Sequence, residues 1–177
     1  MDNLSTTELV SFLNYKANQY NNTNFIDSDP IQIPHLFNKK EDIEISGFLT
    51  STIAWGNRKS IINSSKKMMG LLKNKPYDYI MNHNERDLKK LTQYVHRTFN
   101  GYDLIQFISS LKNIYQNHGG LEKIFSENIK DNSLHYSIHN FKKVFFEIEH
   151  LPRTQKHVSD PYKGSAAKRI NMFLRWM

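Results

Sequence analysis

Lys163, Gly164, Ser165, Lys168 and Arg169 stand close together near the end of a 177-residue chain. The apolar spacing of Ala166, Ile170, Phe173, Leu174 and Met177 predicts a closing helix that begins near Ser165. A helix N-terminus carries unpaired N–H groups and roughly half a positive charge. Lys168 and Arg169 in its first turn, with Lys163 just before it, therefore have the wrong sign for stability alone. An anion bound at the turn relieves the conflict, and Gly164 lets a backbone approach one closely. The alternative is that the long side chains splay into water, where salt screens most of the repulsion. A second candidate for phosphate contact is Trp55-Gly56-Asn57-Arg58-Lys59. There an aromatic stands beside a helix break, Asn57 can cap the next helix, and Arg58 and Lys59 open its basic face.

Charge elsewhere follows the same division. The net charge is +7, but it is concentrated. Residues 151–177 hold six basic residues against Asp160 alone, and residues 45–77 hold six with no acid. The remainder is mildly acidic. Two basic blocks in such a chain point to a polyanion partner, with nucleic acid first, against the plainer reading of a lysine-rich solvated surface.

Other chemistries are bounded by what the chain contains. It has no cysteine, which excludes disulfides, thiolate metal sites and cysteine nucleophiles, and suits a cytoplasmic protein. The first twelve residues lack the basic and apolar regions of a secretion signal, and no apolar run approaches the length of a membrane span, so no membrane partner is expected. No P-loop, dinucleotide glycine motif or Ser-His-Asp pattern is present, and no cofactor is expected. His135 and His139 have the i, i+4 spacing of two metal ligands, but no third ligand follows at a clear spacing, and no metal site is assigned. His96-Arg97-Thr98-Phe99 could clamp a nucleotide; an arginine paired with an aspartate is the equal alternative.

The elements that must position these residues read as helices throughout, so the fold class is all-α, one compact multi-helix domain over residues 1–177. Ser5 and Glu8 have capping-box spacing ahead of an apolar face at Leu9, Phe12, Leu13, Ala17 and Tyr20. Residues 21–37 are a connector kept extended by Pro30 and Pro34. Asn38 and Glu41 form a second box before a helix with Ile45, Phe48, Leu49, Thr52 and Ile53 on one face, ended by Gly56. A third helix follows Asn57 with Ile61, Ser65, Met68, Met69 and Leu72 inward. Short helices are expected at 77–81, 85–91 and 121–125, and longer ones at 102–117 and 134–149. No run alternates as a strand does.

The order of a short turn with Pro161 and Gly164 followed by an Ala-rich basic helix is similar to the hairpin of the helix-hairpin-helix DNA glycosylase superfamily. Tyr162-Lys163-Gly164 stands here where a double-glycine turn is usual. That resemblance implies backbone contact with DNA phosphate, and Lys168 as a Schiff-base nucleophile. The aspartate that follows this helix in those enzymes has no counterpart before Met177. Over most of its length the chain resembles a bacterial family known as domain of unknown function twenty-four hundred. The resemblance is carried by Ser28 through Phe37, Ala54 through Ser60, Val95 through Gly101, and Lys163 through Trp176. It implies a chain truncated at its C-terminus, with glycosylase or lyase chemistry belonging to the full-length form. The rival expectation is a non-enzymatic helical interaction module.

Overall fold

The computed structural model describes residues 5–177, and it is all-α apart from one minimal hairpin. Nine helices follow in chain order among the described residues: α1 Thr6–Tyr20, α2 Lys40–Thr52, α3 Arg58–Leu71, α4 Pro76–Asn82, α5 Glu85–Leu91, α6 Gly101–Asn117, α7 Leu121–Ser126, α8 His135–Phe145 and α9 Lys168–Trp176. Strands β1 Val95–His96 and β2 Phe99–Asn100 pair antiparallel, Val95 opposite Asn100. They are too short for an alternating pattern to announce them. None of the helices is long and apolar enough to cross a membrane.

α2 is the axis of the core. Residues 44–52 of this helix are buried on every side, because other helices surround it. Phe48 meets the rings of Phe107 on α6, Phe141 and Phe145 on α8, and Phe173 on α9, at centroid separations of 5.3–5.8 Å. Edge-to-face and stacked pairs of this kind add to the stabilisation from apolar burial. Gly47 permits the close approach of α9: a Cβ there would stand 2.8 Å from Met177 Cε and 3.6 Å from the Phe173 ring.

Caps explain several boundaries. Asn57 accepts the Ser60 amide and starts α3, as its sequence position predicts. Asn100 and Asp103 form a reciprocal capping box at the start of α6, and Ser5 and Glu8 do so for α1. α2 differs from expectation. Its N-cap is Lys39, with no side-chain cap; Asp42, in its first turn, instead accepts the Tyr77 amide at 2.8 Å and ties down the start of α4.

Two other expectations are corrected, and a third feature goes beyond them. The 21–37 connector is not extended but a series of 3-10 turns, Thr23–Ser28, Pro30–Gln32 and Pro34–Leu36. Pro30 and Pro34 open two of them, because a proline's fixed φ suits a first helical position and the amide it lacks has no partner there. α8 stops at Phe145 rather than running to 149. The apolar face of α1 is real but uncovered: Leu9, Phe12, Leu13 and Tyr20 are exposed, and the helix buries no residue.

Candidate nucleic-acid interface

α9 begins at Lys168, three residues later than its spacing suggests. The reason lies in Ser165, whose Oγ accepts the Ala167 amide at 3.1 Å and closes a local turn in place of a helix cap. Ala167 is then the N-cap residue, in the left-handed region at φ 45°, and provides no side-chain cap. An alanine there costs roughly 1–2 kcal/mol. Ala166 is exposed and Ala167 buried, the reverse of a helix begun at Ser165. Lys168 and Arg169 thus occupy the first two helical positions, with no acid in that turn.

Asp160 builds the approach. Its Oδ1 accepts the Tyr162 amide at 3.0 Å and faces His139 Nδ1 at 2.9 Å. Its carbonyl accepts the Lys163 and Ser165 amides, while the Gly164 amide donates to Pro161. Burial pushes the Asp160 carboxyl up, but the bonds from His139 and the Tyr162 amide outweigh it and hold the group below the usual carboxylate range. Gly164 takes the left-handed conformation, φ 75°, with open space around it. The amides of Lys163, Gly164 and Ser165 are therefore engaged within the turn. What remains for an anion is the exposed Lys163 and Lys168 side chains and the uncapped first turn of α9. His135 and His139 pack on the Tyr162 ring, at 4.9 and 4.3 Å between centroids.

Arg169 turns inward. Its Nη1 donates to the Thr52 carbonyl at 2.6 Å, and its guanidinium lies 4.9 Å from the centre of the Trp55 ring. Burial pulls its pKa below the ordinary arginine value, yet arginine remains charged at neutral pH. Thr52 ends α2, so the contact sets a cation on a helix C-terminus, where the macrodipole favours it. It also brings the start of α9 beside the Trp55-Gly56 exit that leads into Asn57, Arg58 and Lys59. Asn57 is occupied as a cap. Arg58 lies 3.6 Å from half-buried Asp29 with its own side chain exposed, and Lys59 is exposed. Arg58 also lines a groove of about 880 Å³ with Met172, Arg175 and Trp176 of α9. The two basic segments, far apart in sequence, are neighbours.

Beneath Trp55 lies a polar cluster that the sequence does not announce. Asp103 is fully buried; it accepts Thr154 Oγ1 at 2.7 Å, Arg153 Nη1 at 2.8 Å and the Asn100 amide at 3.0 Å. His157 is 5% exposed, lies nearly parallel to Trp55 and places Nε2 3.4 Å from Asp103 Oδ2. His96 is 4% exposed, meets Trp55 edge-on, and its Nδ1 is 2.8 Å from Ser64 Oγ. Nε2 of neither imidazole has a hydrogen bond of good geometry. Burial pushes His157 down to about 4, against the opposing pull of Asp103. Burial also lowers His96, partly offset by the nearby Trp55 and Ile53 carbonyls. Both rings are neutral at pH 7. The Asn100/Asp103 spacing of the capping box is the one local signal; Arg153, Thr154 and His157 lie some fifty residues on.

The fold and this arrangement define an all-helical domain with two basic helix starts brought together around a tryptophan. A family model described as protein of unknown function (DUF2400) matches residues 29–177, and the chain belongs to that family. Comparison with curated proteins and with solved structures returned no match.

Proposed function

We propose that the chain binds nucleic acid, DNA by its likeness to the glycosylase hairpin, through the basic turn that starts α9 and the adjoining start of α3. One observation carries the reading: Arg169 ties the first turn of α9 to the end of α2, so that Lys163, Lys168, Arg58 and Lys59 belong to neighbouring segments rather than scattered ones. Cations at an uncapped helix start work against the macrodipole unless a phosphate answers them.

The test is the salt dependence of affinity for a short duplex. Removing one phosphate-neutralising cation should flatten the plot of log K against log salt by about 0.9. Lys163→Ala with Lys168→Ala is expected to flatten it by about two units and weaken binding at every sequence. A double variant with the parent's slope and affinity excludes the α9 contact. Binding that ignores salt altogether favours an interaction module instead, the reading to which the uncovered apolar face of α1 lends support.

Lyase chemistry at Lys168 is a further step of this reading, supported by the likeness of the Pro161–Gly164 turn to the glycosylase hairpin. The unprotonated Lys168 Nζ would add to C1′ of an abasic deoxyribose; the carbonyl oxygen leaves as water, and borohydride reduces the resulting C=N bond to a stable amine. A trapped adduct that survives Lys163→Ala and disappears in Lys168→Ala is the expected result. An adduct that persists without Lys168, or none from the parent protein, ends the assignment.

A further inference from the structure

We propose that the Trp55-Gly56 step is a phosphate site whose ligands are the guanidinium groups of Arg97 and Arg169. The ligand, a phosphodiester of the bound strand, rests on the nucleic-acid reading.

Both arginines lie at this step against a ring or backbone rather than against an acid. Arg97 follows β1 at φ 54° and is exposed. Its guanidinium lies against Gly56, where a Cβ would meet Cζ and Nη2 at 2.8 Å. Gly56 itself has φ 104°. Any side chain at Gly56 would displace Arg97, so the glycine serves as its seat. Arg97 enters no ion pair among the described residues. Arg169 is seated on the neighbouring Trp55 ring. It spends a single donor, on Thr52, and a guanidinium has five.

The carboxylate nearest this step in the cluster cannot neutralise the pair. Asp103 is buried and already holds Arg153, Thr154 and the Asn100 amide. Two guanidinium groups therefore lie at consecutive residues, one on the Trp55 ring and one against Gly56, with donors that no acid among the described residues answers. A phosphate supplies the acceptors those donors lack, and its oxygens suit the planar fork of arginine. Half-buried Trp55 forms the apolar wall of the site. His96 and His157 beneath it, neutral and unpartnered at Nε2, add no further positive charge.

The chain has two tryptophans, so Trp176→Phe leaves Trp55 as its sole indole reporter. Inorganic phosphate is titrated against this protein, with sodium chloride holding ionic strength constant, and Trp55 emission is followed. A saturable change is expected. Arg97→Asn, which tolerates the left-handed conformation, should weaken it by about tenfold, the scale of one charge-assisted contact. Thermal unfolding verifies that the variant remains folded. Lack of a saturable response, or an equal response in Arg97→Asn, overturns the site. A short duplex titrated in parallel separates this outcome from the wider reading. Duplex binding that ignores Arg97→Asn, with no phosphate response, removes the site and leaves the nucleic-acid reading. A phosphate response abolished by Arg97→Asn, with no duplex binding, upholds the anion site and removes the phosphodiester as its ligand.

Discussion

Asp103→Ala is expected to lower the free energy of unfolding by about 3 kcal/mol, the combined cost of a stranded buried hydroxyl, a lost helix cap and the cavity left behind. Asp103 is fully buried and joins parts of the chain fifty residues apart. Through the Asn100 amide it closes the start of α6. Through Arg153 and Thr154 it anchors the Pro152–His157 turn that precedes the basic segment. Truncation strands the Thr154 hydroxyl in the interior, leaves the Arg153 guanidinium without its counter-charge and opens a cavity beside His157. Asp103→Asn keeps the volume and one acceptor oxygen, so its effect should be smaller. Urea unfolding measures both: the midpoint should fall from parent to Asn to Ala, with the slope unchanged if the native state keeps its extent. An Ala variant within about 1 kcal/mol of the parent would show that the cluster contributes no more than an ordinary surface contact.

The second large effect is acid sensitivity through His157. Its ordinary value is 6.5, and burial lowers it to about 4 in the folded chain. Between these values the unfolded chain binds a proton that the folded chain excludes. Stability is therefore fully present above pH 6.5 and declines as pH falls toward 4, by about 3 kcal/mol in all. His96, lowered in the same direction, adds to the decline. Asp160 acts lower: its depressed carboxyl contributes stability above the ordinary aspartate value of 3.8 and loses it only as pH drops through the folded value. Urea midpoints at successive pH values separate the two windows. His157→Phe, which can keep the ring contacts with Trp55 and Phe99, should flatten most of the slope between pH 6.5 and 4 while leaving the lower limb in place. A variant with the parent's slope across that window would rule out His157 as the source.

Much of the helical frame is legible in the sequence because its signals are local. α3, α5 and α6 begin at residues that cap them, and their apolar spacing fixes the buried face. The start of α9 is not legible, because Ser165 satisfies a turn amide rather than a helix amide, and the two uses look alike in sequence. The inward turn of Arg169 does carry a signal: it lies four residues before buried Phe173, hence on the same face of α9. Charge alone suggests a solvent-facing side chain there, whereas a carbonyl and an indole receive it half-buried. The Asp103 cluster leaves no such trace, since its members meet only after the core has folded. The face of α1 shows the converse limit: periodicity reveals that a helix has an apolar side, not that anything covers it.

Phe48 gives the proposed ligand surface its mechanical character without touching it. Rings from α6, α8 and α9 close on this one side chain. α9 therefore cannot swing free without prising apart the centre of the molecule, and the backbone at Lys168 is held with it. Whatever docks at that corner meets a preformed relief, and must bring its own shape to fit it.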